Sequence, residues 1–234
     1  MIYVTSDLHG IAPDTFQALL HKADFGEDDF LFVLGDVIDR GSHGIDLLLW
    51  LTEMPNAQLI LGNHEAMMLS CKFLFQEVTE ESLEMLTVEN LQLMQTWMEN
   101  GGSATMQAMK KLVKQDPDLA DGIWDYLTDA PLYDIVRAGG RTFVLTHAGL
   151  GGFSPERELE DYTPEQLLMH RPALSERYYT GATVIFGHTP TQLYGPKHAG
   201  KALRTDTWID IDTGAAAGGT PMLLRLDDGR EFYL

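Results

Sequence analysis

Cysteine is nearly absent. Among 234 residues only Cys71 occurs, so no intramolecular disulfide can form. Such usage fits a reducing compartment, and a cytoplasmic location is the expectation. Basic residues are also scarce: 16 Lys and Arg stand against 35 Asp and Glu, a formal net charge of −19. A surface of that sign argues against binding nucleic-acid polymers or anionic membranes. It also repels phosphorylated substrates at long range, so a phosphate site would need its own local positive charge. Long apolar runs are missing as well. None reaches the roughly 18 residues that span a bilayer, and "IDLLLWL" is apolar but short. The first residues lack the basic, apolar and small-residue succession of a secretory leader. There is no internal repeat and no low-complexity linker, so residues 1–234 are expected to form a single domain with a full core.

What is present alternates. "IYVTS" reads as a strand, 13–22 as a helix opened by Pro13, and "FLFVLG" as a strand. Residues 43–53 read as a helix, "AQLILG" as a strand and 63–77 as a helix. Short apolar, β-branched runs alternating with helical stretches indicate βαβ units. Residues 78–128 differ, being rich in Glu, Gln, Met and Leu at helical spacing, with Gly101-Gly102 dividing two helices and a third ending before Pro131. They read as a helical insertion or cap whose Met-rich stripe packs as core. The last hundred residues return to strands: "LYDIV", "RTFVLTH", "TVIFGH", "TWIDIDTG", "MLLRL" and "EFYL".

One event recurs. "IYVTS" runs into Asp7 and His9, "FLFVLG" into Asp36 with Asp39 and Arg40 just beyond, and "AQLILG" into Asn63-His64-Glu65. "TFVLT" ends in His147 and "TVIFG" in His188. A single Asp after a strand is ordinarily a turn residue or helix cap, and a single His is ordinarily a packed, hydrogen-bonded side chain. Five strands ending this way are hard to attribute to chance, because α/β sheets gather their sites at the carboxyl ends of strands. Side chains at i and i+2 share one side of an extended strand, so Asp7 and His9 are expected to converge from the pleat of the first strand.

The stretches "DLHG", "GDVIDRG", "GNHE", "THAGL" and "GHTP" resemble the calcineurin-like metallophosphoesterases. More narrowly they resemble the bacterial branch of the phosphoprotein phosphatase family, which also holds the symmetrical diadenosine tetraphosphate hydrolases. The pair "GDVIDRG" and "GNHE" is specific, and the likeness runs from Asp7 to about Gly214, with 78–128 as its variable part. It implies an α/β fold: a four-layer αββα sandwich of two mixed sheets flanked by helices, with the metals at one rim. It also implies two divalent cations. Asp7 and His9 would bind the first, Asp36 would bridge both, and Asn63, His147 and His188 would bind the second.

The chemistry of those side chains agrees with that set. A carboxylate has two oxygens with which to bridge, and mixed oxygen and nitrogen donors suit Mn²⁺, the leading expectation, or Fe or Zn²⁺. With no cysteine in the group, a structural zinc knot is not expected. Two cations about 3.5–4 Å apart would activate a water for direct attack on phosphorus, with no phosphoenzyme. Arg40 is the expected phosphate clamp, its planar fork matching two non-bridging oxygens. In the family pattern His64 protonates the leaving group and Asp39 orients it. A second phosphate-binding arginine is expected beyond "HAGL". Arg171 is the candidate, with Arg177 and Arg204 as fallbacks, and Asn63 also borders the phosphate. His21, His43, His170 and His198 are read as bystanders, and "DIDTGAAAGG" as a return loop.

Three readings of function follow. The first is a serine/threonine protein phosphatase acting on phosphorylated protein or small phosphoesters. The second is a dinucleoside polyphosphate hydrolase. The third is a catalytically silent, metal-binding interaction module. "GHTP" departs from the arginine-alanine-histidine context of eukaryotic phosphatases and places the chain among bacterial relatives.

Overall fold

The computed structural model describes residues 1–76 and 87–234. Two five-stranded sheets face one another. The first contains β1 (Ile2–Thr5), β2 (Phe30–Val33), β3 (Ala57–Leu59), β9 (Met222–Arg225) and β10 (Glu231–Tyr233), in the order β10-β9-β1-β2-β3. The second contains β4 (Tyr133–Ala138), β5 (Arg141–Thr146), β6 (Thr183–Phe186), β7 (Leu203–Arg204) and β8 (Trp208–Asp210), in the order β4-β5-β6-β8-β7. Both are mixed. β1 runs parallel to β2, and β2 to β3, while β9 is antiparallel to β1; β5, β6 and β8 are parallel, and β4 and β7 close the edges antiparallel.

The period-two alternation of each strand builds the layers. Val4, Phe32 and Leu34 point inward to meet Phe143, Leu145, Ile185 and Ile209 of the facing sheet. Tyr3, Leu31 and Val33 point outward under helices, and Val144, Val184, Phe186 and Trp208 point outward on the far side. Strands buried on both faces read as near-continuous apolar runs, which is why the sequence shows them so plainly.

The helices over the first sheet are α1 (Pro13–Lys22), α2 (Gly44–Thr52), α3 (Asn63–Ser70), α4 (Val88–Glu99), α5 (Ser103–Gln115) and α6 (Pro117–Asp129). α1 starts at Pro13, whose missing N–H costs nothing at a first helical position. α4 is capped by the Thr87 hydroxyl and α6 by the Asp116 carboxylate. Trp97, Met109, Ile123 and Trp124 join the same buried layer as Leu47 and Leu48 of α2, and Met94, Met98 and Met106 pack against it. Over the second sheet lies α7 (Pro164–Leu168), opened by a Thr163–Gln166 capping box.

One sequence expectation is adjusted. The helix expected over 63–77 stops at Ser70 and continues as a 3₁₀ turn, Lys72–Phe75. There Ser70 Oγ donates back to Ala66 O, and Cys71 N is shared between Met67 O and Met68 O, which tightens the winding. The first residues of the 78–128 segment, through 86, lie outside the described residues. The two-residue β7 was not expected, being too short to carry a periodic signal.

Candidate metal centre

The parallel strands of both sheets deliver their carboxyl ends to one rim. Asp7, His9, Asp36, Asn63, His147 and His188 meet there, all buried. They do not meet by strand pleating. β1 ends at Thr5, and Asp7 and His9 lie beyond it with φ of 53° and 43°. The expectation that an extended strand aims them is therefore corrected: left-handed kinks aim them. The same holds for Asp36, Asp39, Arg40 and His188. Among the described residues, Asp24 alone of the non-glycine positions with positive φ lies outside this group. Such backbone is strained by roughly 1–3 kcal/mol per residue and persists only where its surroundings enforce it.

Glu65 is one enforcer. Its carboxylate is fully buried and accepts four backbone N–H groups: Asp36 (2.8 Å), Val37 (2.8 Å), Ile38 (3.2 Å) and Gly62 (3.2 Å). It pins the loop that carries Asp36. Gly62 is another: a Cβ there would lie 2.4 Å from Asp36 N and Oδ1. Within "GNHE" the composition of the motif alone does not point to this role for Glu65. Its position three residues after Gly62, at the third residue of a helix, was the available signal.

Asp36 lies at the middle. Its Oδ2 is 3.6 Å from His9 Nε2, and its Oδ1 is 3.5 Å from His147 Nε2. Asp7 Oδ1 is 3.8 Å from His9 Nε2. Asn63 Oδ1 lies 2.8 Å from His147 Nε2 and 2.9 Å from His188 Nδ1. The two outward-facing imidazole nitrogens have definite partners. His9 Nδ1 donates to Ile38 O (3.1 Å) and His147 Nδ1 to Leu34 O (2.7 Å), because a carbonyl only accepts. The Nε2 lone pairs of both rings are thereby turned toward carboxylate oxygens.

Burial, chiefly, keeps these rings neutral. It holds His9 at about 2, His147 at about 3 and His188 at about 2, with nearby cationic groups adding to the effect at all three. Burial also raises Asp7 and Asp36, then neighbouring carboxylates raise them further: Asp212 acts on Asp7, and Asp7 on Asp36. The result is a buried nest in which acceptor faces acceptor.

Beside the nest, His64 Nδ1 donates to Asp39 Oδ2 at 2.7 Å, and its Nε2 faces Arg40 Nη2 at 3.3 Å. His64 Nε2 also lies 3.8 Å from Asp36 Oδ2. Arg40 is exposed at the rim. Arg171, also exposed, is near enough for its charge to lower His147 and His188. The two fallbacks are engaged elsewhere: Arg177 donates to Leu174 O and Glu176 O, and Arg204 pairs with Glu231. His43 and His170 pair with Asp46 and Glu176, away from the nest. In the 210–219 loop, Gly214 and Gly218 take φ of 81° and 86° around a single 3₁₀ turn.

The sequence pattern of the calcineurin-like phosphoesterases matches residues 1–192. The chain belongs to that family. Among curated relatives, the symmetrical bis(5'-nucleosyl)-tetraphosphatase of Chromobacterium violaceum is 25% identical over the whole of this chain and 94% of its own length. The enzyme of that name from Buchnera aphidicola is 34% identical over 27% of this chain, and the match spans only 23% of that protein. A crystal structure provisionally assigned as a diadenosine tetraphosphatase superposes with a TM-score of 0.65 at 20% identity, covering all of this chain and 92% of that one. It shares the arrangement of two mixed sheets flanked by helices. No helix among the described residues of this phosphoesterase is long and apolar enough to cross a membrane.

Divalent cations are implied by the family, and the nest fits them. His9 Nε2, Asp36 and Asp7 present only lone pairs to one another, as do His147 Nε2 and Asp36 Oδ1; His188 Nε2 has no hydrogen-bond partner among the described residues. Buried acceptors that confront each other need a proton or a cation between them. The depressed imidazoles do not supply the proton at neutral pH; the Asp7 and Asp36 carboxyls, raised by burial, are the groups for which a cation and a proton would compete. His9, Asp36 and His64 form one group able to grip an ion, and Asp36, His147 and His188 another, so this phosphoesterase's Asp36 is common to both.

Proposed function

We propose that the protein hydrolyses phosphate monoesters of alcohols, with phosphoserine and phosphothreonine in protein as its substrate class. Asp7, His9 and Asp36 would hold one divalent cation, and Asp36, Asn63, His147 and His188 a second. When bound, such a pair polarises the phosphoryl group and lowers the pKa of the attacking water. The mixed donor set suits Mn²⁺, with Fe or Zn²⁺ as alternatives.

The observation that carries this reading is the His64–Asp39 pair. With Nδ1–H committed to Asp39 at 2.7 Å, Nε2 is the nitrogen left to exchange a proton: it accepts from Arg40 Nη2 at 3.3 Å, and it would carry the proton to be given away once Arg40 turns to the phosphoryl oxygens. Arg40 would hold the phosphoryl oxygens in its fork, assisted from across the rim by Arg171. His64 Nε2 would then deliver its proton to the oxygen that departs. A serine or threonine alkoxide is a poor leaving group and needs that proton. A nucleoside phosphate is a good one and departs without it. The net charge of −19 also disfavours a highly anionic dinucleotide.

Cleavage of dinucleoside tetraphosphates is the second reading. The named relatives favour it, as does an apolar cleft of about 420 Å³ that opens beside Asn63 between Ala66, Met67, Leu93, Leu168 and Met169. A base or an apolar peptide side chain would both fit there.

The test compares kcat/KM for a phosphothreonine peptide and for diadenosine tetraphosphate, with and without His64→Asn. The expected result is a peptide preference, and a loss of about 10²–10⁴-fold on the peptide from the substitution with bound metal unchanged. Dinucleotide preference by more than ~10-fold, about 1.4 kcal/mol, would replace the first reading with the second. Absence of any turnover that Asp36→Asn abolishes would leave only a silent metal-binding module.

A further inference from the structure

The stretch "WMENGGSAT", residues 97–105, takes no part in the reading above, yet it touches the Asp39–Arg40 loop at three points. The Trp97 indole is fully buried, and its Nε1–H donates to Asp39 Oδ2 at 2.8 Å. That same oxygen accepts His64 Nδ1–H. The Thr105 hydroxyl, also buried, accepts Asp39 N–H at 3.0 Å. Gly101 O accepts Arg40 N–H at 3.0 Å. Both glycines are required by these contacts. Gly101 has φ +98°, and a Cβ there would lie 2.8 Å from Arg40 Cγ; a Cβ on Gly102 would lie 2.6 Å from Trp97 Nε1.

We propose that residues 97–105 form a positioning bracket for the proton donor, with Trp97 as its principal member acting through Asp39. This rests on the reading of His64 as the group that protonates the leaving oxygen. Asp39 is fully buried and its Oδ1 has no partner among the described residues, so among these the donors on Oδ2 fix the rotation of its carboxylate. The His64–Asp39 bond alone would let the two side chains swing together. The Trp97 indole, locked among Phe75 and the core layer, anchors the pair to the helices. Thr105 holds the Asp39 backbone in its left-handed conformation, and Gly101 does the same for Arg40. The bracket thereby gives the helical segment a share in transition-state geometry that its apolar composition does not announce. A networked buried carboxylate of this kind is worth more than its separate bonds.

The experiment uses metal-loaded protein with two substrates that differ in their need for a proton. These are a phosphothreonine peptide, whose alkoxide requires one, and p-nitrophenyl phosphate, whose phenolate does not. Trp97→Phe is expected to lower kcat on the peptide by about 10-fold or more, and on p-nitrophenyl phosphate by less than about 3-fold, with KM unchanged on both. Thr105→Val should show the same selectivity with a smaller loss. The loss from Trp97→Phe should vanish in an Asp39→Asn background, because the two act on one network. A readout apart from turnover is the indole N–H proton resonance of Trp97, identified by its absence in Trp97→Phe. It should shift in Asp39→Asn and stay in place in Arg171→Gln.

Equal losses on both substrates, losses that multiply with Asp39→Asn, or an indole resonance indifferent to Asp39→Asn would overturn the bracket. If Trp97→Phe does not fold, Thr105→Val and the resonance in Asp39→Asn decide the matter. His64→Asn separates the two levels of the argument. Should it lose activity equally on both substrates, the proton-donor reading itself has failed. Should it be selective while Trp97→Phe is not, only the bracket has.

Discussion

Replacing Glu65 by Gln leaves the shape of the side chain and removes half of its use. The carboxylate accepts four backbone N–H groups, from Asp36, Val37, Ile38 and Gly62. An amide oxygen still serves two of them, but the amide nitrogen then confronts the other two, donor against donor. Two hydrogen bonds to a charged group, at roughly 1.5–3 kcal/mol each, are lost. Part of this is returned, because the neutral residue no longer bears the burial penalty that holds the Glu65 carboxyl above its usual range. A net loss of about 3 kcal/mol remains. For a chain of this size each kcal/mol moves the melting temperature by roughly 2–4 °C, so Glu65→Gln should melt about 6–12 °C lower. Thermal unfolding followed by circular dichroism in chelator measures it, which removes any contribution from bound ions. The exposed Glu27→Gln serves as the control and should stay within about 0.5 kcal/mol of the parent. A Glu65→Gln protein that melts within 2 °C of the parent would refute the claim that this carboxylate is what pins the Asp36 loop.

Other perturbations test other parts of the molecule. Gly62→Ala places a methyl 2.4 Å from Asp36 N and Oδ1 without any φ strain, so the protein should fold and bind Mn²⁺ at least about 10-fold more weakly, as read by metal analysis after dialysis. Gly122→Ala, in the exposed middle of α6 with open space around the new methyl, should raise stability by about 0.5–1 kcal/mol in denaturant titrations. Uptake of Mn²⁺ should release protons, and from carboxyls rather than imidazoles: His9, His147 and His188 are already neutral at pH 7, whereas Asp7 and Asp36 are raised by burial and by neighbouring carboxylates. The ion-free form therefore takes up protons at a higher pH than free carboxyls would, and these compete with the ion, so affinity must weaken as pH falls. Calorimetric titration with Mn²⁺ over a descending pH series checks this, and an affinity that does not weaken would count against it.

Much of the frame was legible because doubly buried strands leave apolar runs that few other elements imitate. β1, β2, β5 and β6 stand in the sequence nearly where they stand in the structure, and Pro13 marks the start of α1 to the residue. The cluster of Asp7, His9, Asp36, Asn63, His147 and His188 was legible because parallel strands must bring their carboxyl ends to one rim. What was hidden depends on backbone angle and on partners distant in the chain. Nothing in "SDLHG" announces left-handed φ at Asp7 and His9, since Asp and His are also at home in ordinary turns. Glu65 has no periodic signal, and three of its four partners lie 27–29 residues away. Trp97 reads as one more apolar residue in a helix; that its N–H reaches Asp39, 58 positions earlier, is a fact of packing alone.

The nest draws Asp7, His9, Asp36 and Asn63 from the end of one sheet, and His147 and His188 from the end of the other. An ion gripped by both parties would rivet the sandwich shut along that seam, much as a covalent staple would, in a chain whose lone thiol can form none within itself. Unlike a staple, the rivet answers to its surroundings: at a hundred times its dissociation constant it is worth about 2.7 kcal/mol, and in chelator nothing. The durability of the folded chain would thereby be handed over to whatever sets the supply of the ion.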